Sequence, residues 1–363
     1  MENRAFTEKI NSTPVFFIVG RERSGTTLLR FLFDAHPQVN IPIEFHFIWL
    51  LFHKYHRKKV WSEKALLQFF EDLCMLPRFG FMSIDAAKLR NDLLKCEGNN
   101  SFGCLCKVVL SNYISVYEKE EITLFGDKSP FYALQCKQLL TIFPEAKFIH
   151  ITRDHRDNML SMKRVKFEAS LLTSLVYRWK YYNDEVLQIS KQFPERFVSV
   201  RYEDLVDAPS EMTARLCSFL GIRYEPSVLE FNLRAEQFMK RYPVYEFNRI
   251  HGSLFKPIST GGIGGWKNKM SANEVKRADA VAGKTAETLG YELQFPKPGL
   301  FTKLRVLPGK IYGRLYYVYS DIAERLPLKV KIYGVYMPLA RIFKRGWYTM
   351  YKKKKMEEAR NGR

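Results

Sequence analysis

The stretch IVGRERSGTTLLRFLFDAHP, residues 18–37, decides the fold. An apolar run, VFFIVG at 15–20, ends at Gly20, and an amphipathic helical pattern begins near Thr26. The G-x-x-x-x-G between them has the spacing of a phosphate-binding P-loop, where backbone N–H groups and a helix N-terminus hold an anion. A triphosphate-binding loop continues with lysine, whereas Thr26 and Thr27 follow Gly25 here. The sequence therefore predicts an anion-binding loop that does not hydrolyse ATP or GTP.

Strand and helix patterns alternate along the rest of the chain. The continuous apolar run at 15–20 predicts a strand that is buried on both faces, and further strands are predicted at 122–129, 146–154 and 196–205. Helical patterns cover 45–57, 62–76, 103–118, 132–143, 170–191 and 273–289, and NMLSMKRV lies in a helix after the third strand. This order predicts a three-layer α/β/α fold with a mostly parallel central sheet. The segment FPKPG (295–299) marks a boundary, so we expect one domain at 1–298 and an extension at 299–363.

Composition indicates an ordinary globular protein. The chain is 46% hydrophobic, has no uninterrupted apolar run long enough to span a bilayer, and starts with no signal-peptide pattern. Its six cysteines form neither a C-x-x-C pair nor a metal-binding spacing with histidine. We therefore expect a cytoplasmic protein with reduced thiols and no metal.

The net charge of +20 is concentrated near the C-terminus. Residues 301–363 hold 16 Lys and Arg, 4 Asp and Glu, and 11 aromatic residues. Basic residues with aromatic anchors favour peripheral contact with an anionic membrane. A helical extension that packs on the domain and keeps its charge in water is the alternative. Nucleic acid is not an expected partner, because no recognition motif supports it.

A second candidate phosphate site follows the third strand. The run FIHITRD places Arg153 at the carboxyl end of that strand, the edge where open α/β sheets bind ligands. Ser161 follows two helical turns later and could add a hydroxyl bond to the charge of the arginine. Taken alone, the pair would be interpreted as a surface arginine and a serine inside a helix; the other motifs change that interpretation.

In combination, these motifs resemble the sulfotransferase family over roughly residues 14–270. The resemblance rests on RSGTT with DAHP, on TRD with a serine eight residues later, on YEDL and on a late GWK, and it is nearest the tyrosylprotein and membrane-associated branches. It implies the P-loop-like sulfotransferase fold for the domain, to which residues 299–363 would add a C-terminal helical extension. It also implies transfer of a sulfuryl group from 3′-phosphoadenosine 5′-phosphosulfate (PAPS), with no metal.

The resemblance also implies roles for individual residues. Glu44 would be the base, with His46 as the alternative, and Arg23 and Lys128 would neutralise charge on the transferred group. Arg153 and Ser161 would hold the 3′-phosphate. The remaining donor-binding residues would be Arg23, Ser24, Gly25, Thr26 and Thr27 at the 5′-phosphosulfate, Tyr202 near the adenosine, and Lys267 in the late loop.

The surroundings of Glu44 shape two further expectations. Its neighbours Ile43, Phe45 and Phe47 are apolar, so we expect burial to raise its pKa and make it a better base. The charged residues that flank this glutamate in the tyrosylprotein branch are missing here. Their absence argues against a peptide-tyrosine acceptor. Membrane contact by the tail would favour a small lipophilic hydroxyl acceptor, such as a steroid, sterol or lipid.

Other acceptors and other classes of protein stay open at this point. A carbohydrate or a peptide tyrosine is the alternative acceptor. A P-loop nucleotide kinase, or a non-enzymatic protein that binds membrane or nucleic acid, would be a different class.

Overall fold

A parallel five-stranded sheet forms the centre of the computed structural model, which describes residues 2–165, 171–234, 237–238 and 256–342. The strand order is β2-β5-β1-β6-β7. A separate antiparallel pair joins β3 and β4. The strands are β1 (Val15–Val19), β2 (Val39–Asn40), β3 (Val60–Trp61), β4 (Gly98–Asn99), β5 (Leu124–Lys128), β6 (Lys147–Thr152) and β7 (Phe197–Arg201).

Helices cover both faces of the sheet. Successive side chains of a strand point to opposite faces. In β1, Phe17 and Val19 accordingly belong to one buried cluster, and Phe16 and Ile18 belong to another. The α-helices of the first half are α1 (Glu2–Ser12), α2 (Thr26–Ala35), α3 (Phe47–Tyr55), α4 (Glu63–Met75), α5 (Ala86–Leu94), α6 (Phe102–Ser111), α7 (Cys136–Ile142) and α8 (His155–Val165). This arrangement confirms the predicted three-layer α/β/α fold.

The second half of the chain is mainly helical among the described residues. Its α-helices are α9 (Leu172–Ser190), α10 (Tyr202–Asp207), α11 (Pro209–Leu220), α12 (Trp266–Lys269), α13 (Ala272–Ala282), α14 (Lys284–Thr288), α15 (Leu300–Glu324), α16 (Leu328–Val330) and α17 (Met337–Ile342). A π-helical segment, Lys331–Tyr336, joins the last two, and 3-10 turns lie at Phe79–Phe81, Pro130–Leu134, Pro194–Arg196, Pro226–Arg234 and Thr260–Gly262.

Several element boundaries differ from the predictions. The pattern at 132–143 divides into the 3-10 turn Pro130–Leu134 and α7, and the pattern at 103–118 ends as a helix at Ser111. The predicted final helix of the domain breaks at Gly283, whose φ of +49° interrupts helical geometry. Residue 170, the predicted start of α9, lies outside the described residues, as does the tail from 343 to 363.

Helix α15 begins at Leu300, next to the predicted boundary at 298, and packs along α9. Val306 lies in a buried cluster with Trp179 of α9, and Tyr317 stacks on Tyr181 with ring centroids 4.1 Å apart. Within the described part of the chain, no helix is both long and apolar enough to cross a membrane.

The parallel strands bring four predicted site segments to one edge of the sheet. The carboxyl ends of β1, β5, β6 and β7 lead directly to the Gly20–Gly25 loop, Lys128, Arg153 and Tyr202. Ligands of open α/β sheets bind at this edge.

Candidate active site

The Gly20–Gly25 loop joins β1 to α2 through unusual backbone conformations. Gly20, Arg23 and Gly25 have φ angles of 146°, 67° and 102°. A Cβ atom on Gly20 would lie 2.2 Å from the carbonyl oxygen of Ile151, so the close approach of β6 requires glycine here. Positive φ at a residue with a side chain, as at Arg23, is a strained conformation often found at functional sites.

Polar contacts from α8 support the loop from behind. Asn158 Nδ2 donates to the Ser24 hydroxyl (3.0 Å) and to the Glu22 carbonyl (2.7 Å). The N-cap of α2 is Gly25, which offers no side chain to the first N–H groups of the helix, and Thr26 is buried beside it. Thr27 is half-buried one residue further on. The loop therefore presents main-chain donors and hydroxyls where a phosphate can bind.

The second predicted phosphate site lies directly against this loop. Arg23 Nε donates to the Ser161 hydroxyl (3.1 Å), and Arg153 Nη1 donates to the Arg23 carbonyl (3.3 Å). The Arg153 guanidinium also lies over the Tyr202 ring, 4.6 Å from its centre. Burial, together with the charges of Arg164 and Arg153, lowers the pKa of Arg23 to about 10. A bound anion would relieve this crowding of positive charge.

The Gly-rich segment before α12 covers Arg153. Its Gly262 carbonyl accepts a hydrogen bond from Arg153 Nη2. The Asp157 carboxylate accepts from the main-chain N–H groups of Gly264 (2.7 Å) and Trp266 (2.9 Å). The Lys267 side chain lines a neighbouring cleft of mixed charge that also contains Asp157 and Glu203. A donor-binding role for Lys267 stays a prediction.

A second group of charges surrounds Glu44, in the loop between β2 and α3. Lys128 Nζ lies 2.7 Å from Glu44 Oε2, and His46 Nε2 lies 2.8 Å from Oε1. Arg78 Nη1 donates both to Oε1 (3.1 Å) and to the Glu44 carbonyl oxygen (2.9 Å). The other ring nitrogen of His46, Nδ1, lies 2.8 Å from the Ser129 hydroxyl. The carboxylate is thus held by two cations and a histidine.

These partners reverse the expected pKa shift of Glu44. Burial alone would raise the pKa, as its apolar neighbours suggested. The charges of Lys128 and Arg78, together with the contact from His46, outweigh burial and hold the pKa of Glu44 well below its usual value. The expectation of a raised pKa was therefore wrong, because the charged partners come from elsewhere in the chain. Phe45 and Phe47 are buried in the core.

His46 is suited to orienting Glu44. Burial lowers its pKa despite the opposing effect of Glu44, so the neutral ring is favoured near pH 7. A neutral ring that donates from Nε2 to Glu44 leaves Nδ1 to accept from the Ser129 hydroxyl. Both ring nitrogens then have partners, and the ring position is set by them.

Comparison with known proteins identifies the family. The family model described as "Sulfotransferase family" matches residues 14–226, more than half of the chain. The chain belongs to the sulfotransferase family. Protein-tyrosine sulfotransferase 1 of Danio rerio is 25% identical over 287 residues, covering 77% of this chain and 72% of that protein. A putative protein-tyrosine sulfotransferase of Caenorhabditis briggsae is 24% identical, covering 79% and 92% of the two chains.

Two further comparisons bear on extent and fold. The protein-tyrosine sulfotransferase of Drosophila melanogaster is 24% identical, and the match covers 77% of this chain but 52% of the longer fly protein. The solved sulfotransferase domain of the Synechococcus olefin synthase has a TM-score of 0.51 at 20% identity, covering 77% of this chain and 95% of that domain. The likeness confirms the sulfotransferase fold.

Membership of the sulfotransferase family excludes the other classes of protein, and the comparisons leave a sterol or lipid acceptor without support. An enzyme of the sulfotransferase family is not a nucleotide kinase or a purely binding protein, so those interpretations were wrong. The comparisons give no support to a sterol or lipid acceptor. Within the described residues, no group of three or more His, Cys, Asp or Glu is arranged to hold a metal ion.

Three residues of this candidate site were missed from the sequence. Arg78 lies in a turn 34 residues after Glu44, and nothing in its local pattern distinguishes it from a surface arginine. Asp157 and Asn158 end the run RDHRDN, which begins at Arg153. Asn158 supports the Gly20–Gly25 loop, and Asp157 holds the Gly-rich segment. One signal in the sequence could have identified Asp157 and Asn158. They are polar residues in the first turn of a helix that starts at the ligand-binding edge.

Proposed function

We propose that this protein transfers the sulfuryl group of PAPS to an acidic hydroxyl of the phenol type, such as a tyrosine side chain. The observation that carries the proposal is the Glu44 carboxylate, ionised by its partners and placed beside Lys128 at the carboxyl end of β5. That pair stands at the same sheet edge as the anion-binding loop.

The donor would bind through its two phosphate groups. Main-chain N–H groups and hydroxyls of Ser24, Thr26 and Thr27 suit the 5′-phosphosulfate. Arg153 and Ser161 suit the 3′-phosphate, since a guanidinium and a hydroxyl converge next to the loop. Tyr202, beside Gly25 and beneath Arg153, suits the adenosine.

The chemistry would be an in-line displacement at sulfur. The acceptor oxygen forms a bond to sulfur while the bond from sulfur to the bridging phosphate oxygen breaks, and adenosine 3′,5′-bisphosphate leaves. Lys128 and Arg23 would neutralise charge on the transferred group and the leaving oxygen. The acceptor proton would pass to Glu44, whose carboxylate His46 and Arg78 hold in position.

The lowered pKa of Glu44 favours an acidic acceptor. A phenolic hydroxyl has a pKa of about 10, whereas the pKa of an alkyl hydroxyl is several units higher and close to that of water. The difference of five to six units corresponds to about 8 kcal/mol in the free energy of proton transfer to the same base. The named relatives, which are protein-tyrosine sulfotransferases, support the same choice.

The donor assignment is tested by thermal stability. A ligand at about 100 times its Kd stabilises a protein by about 2.7 kcal/mol. Adenosine 3′,5′-bisphosphate should therefore raise the Tm clearly, and AMP, which lacks the 3′-phosphate, should raise it much less. In Arg153→Gln, the two nucleotides should give similar small shifts. Equal shifts in the wild-type protein would remove the 3′-phosphate role of Arg153 and Ser161.

The acceptor assignment is tested with labelled PAPS and a matched set of hydroxyl compounds. A tyrosine-containing peptide and a simple phenol should accept label, and an alkyl steroid alcohol and a sugar should accept at least about 100-fold more slowly. Faster transfer to the steroid alcohol than to the phenols would contradict the proposal and indicate a lipophilic acceptor. Faster transfer to the sugar would indicate a carbohydrate acceptor.

A further inference from the structure

The long helix α15 carries an apolar face that points to solvent. Its exposed apolar side chains are each between 45% and 74% accessible. They are spaced three or four residues apart, with three adjacent pairs, so at 100° per residue they lie along one side of the helix. They are Leu300, Phe301, Leu304, Leu307, Ile311, Tyr312, Leu315, Val318, Tyr319 and Ile322, and together we call them the α15 outer face.

The opposite side of α15 holds the helix on the domain. Val306, Gly309, Gly313 and Tyr317 are buried there. At 100° per residue, these positions centre on the side of the helix directly opposite Leu304 and Ile311. The α15 outer face is therefore not the side by which the helix packs on the domain, because the helix has a separate buried face.

Positive charge borders the outer face. Residues 300–320 contain no Asp or Glu. On the helical wheel, Arg305 falls at one edge of the face, and Lys303, Lys310 and Arg314 fall at the other. The first acidic side chain, Asp321, is paired with Arg325 at 2.8 Å. An apolar strip between two basic edges is the pattern of a helix that lies in a lipid interface.

We propose that the α15 outer face docks the protein on an anionic lipid bilayer. The apolar side chains would enter the boundary between headgroups and acyl chains, and the basic edges would lie at the level of the anionic headgroups. This mode of binding is peripheral, with the helix parallel to the surface.

Charge argues against the other occupants of this face. A second copy of α15 would bring two sets of basic edges together, within a protein of net charge +20. The C-terminal segment 343–363 has eight Lys and Arg and two Asp and Glu in its sequence, so it carries the same sign as the edges. An anionic bilayer complements the apolar strip and both edges at once.

The test uses full-length protein, because removal of α15 would expose the core that Val306 and Tyr317 cover. Leu304→Gln, Ile311→Gln and Leu315→Gln are combined in one outer-face variant. A control variant combines Val60→Gln, Ile114→Gln and Leu233→Gln, which are exposed apolar residues elsewhere on the surface. Binding is measured by co-sedimentation with phosphatidylcholine vesicles that contain about 30% phosphatidylserine or none.

The wild-type and control proteins should bind the anionic vesicles, and the outer-face variant should bind at least about tenfold more weakly. Raising the salt from about 0.05 M to about 0.5 M should weaken wild-type binding. The Tm and the response to adenosine 3′,5′-bisphosphate should be the same in all three proteins, which separates this proposal from the sulfotransferase site. Equal binding by the outer-face and control variants, or equal binding to neutral vesicles, overturns the proposal. A wild-type dimer that the outer-face variant dissociates, without vesicle binding, assigns the face to a second copy instead.

Discussion

Replacing Glu44 with glutamine should slow turnover and tighten donor binding at the same time. Lys128 Nζ is bound to Glu44 Oε2 at 2.7 Å, and the proposed chemistry needs the same ammonium group at the sulfuryl oxygens. Glu44 and the donor therefore compete for Lys128. Glu44→Gln keeps the shape of the side chain, removes the competing charge and removes the base.

The size of the effect follows from that one contact. A hydrogen bond that involves charged groups contributes about 1.5–3 kcal/mol, and one between neutral partners about 0.5–1.5 kcal/mol. The Lys128 contact to glutamine should thus be weaker by about 1–2 kcal/mol, which corresponds to roughly 5- to 30-fold tighter binding of PAPS. Loss of a general base should lower turnover by about 100-fold or more.

Isothermal titration with two ligands measures the effect. PAPS carries the sulfuryl group that would meet Lys128, whereas adenosine 3′,5′-bisphosphate lacks it. Glu44→Gln should increase the affinity for PAPS and leave the affinity for the bisphosphate nearly unchanged. Lys128→Met is the matched control. It should bind PAPS more weakly and should bind the bisphosphate with unchanged affinity. If Glu44→Gln leaves PAPS affinity unaltered, or turns over normally while His46→Ala does not, the roles given to Lys128 and Glu44 are wrong.

Two further predictions concern stability. Burial lowers the pKa of His150 to about 4, so its protonation favours the unfolded chain as the pH falls below the unfolded value of about 6.5. Between pH 7 and pH 5 the protonation of His150 should lower the free energy of unfolding by about 2 kcal/mol. Urea titrations of His150→Gln should show a decrease between these two pH values that is smaller by that amount. A Cβ atom on Gly309 would lie 1.8 Å from Thr173 Oγ1. Gly309→Ala should therefore lower the free energy of unfolding by about 1–3 kcal/mol. Gly299→Ala is the control and should be nearly neutral, because a Cβ atom there meets nothing within 4 Å.

The central sheet and half of the site were predictable because their signals are local. A strand buried on both faces is a continuous apolar run, and in a parallel sheet every strand delivers its carboxyl end to one edge. Arg23 follows such a run, and Lys128, Arg153 and Tyr202 lie at or directly after the ends of the other predicted strands, so these positions could be inferred without any long-range contact. The missing lysine of the loop then argued against a triphosphate, and the resemblance to the sulfotransferase family implied PAPS.

The electrostatics of Glu44 could not be predicted in the same way. Its apolar neighbours in the chain point into the core, while Lys128 and Arg78 reach the carboxylate from 84 and 34 residues away. Those contacts depend on how β5 and the turn at Arg78 pack beside the loop. The short strand β2 was missed for a related reason, since two residues carry no periodicity and are defined only by pairing with β5.

The C-terminal extension shows why its composition supported two interpretations at once. Aromatic and basic residues suggested either a membrane contact or a helix packed on the domain, and a helix with two faces allows both. Tyr317 hydrogen-bonds Arg178 of α9, and Lys331 lies over the ring of Trp49 in α3, the helix that follows His46. The inner side of this region is thus continuous with the elements that carry the site. A bilayer bound at the α15 outer face would therefore hold the domain through α15 itself, with its orientation set by the packing on α9.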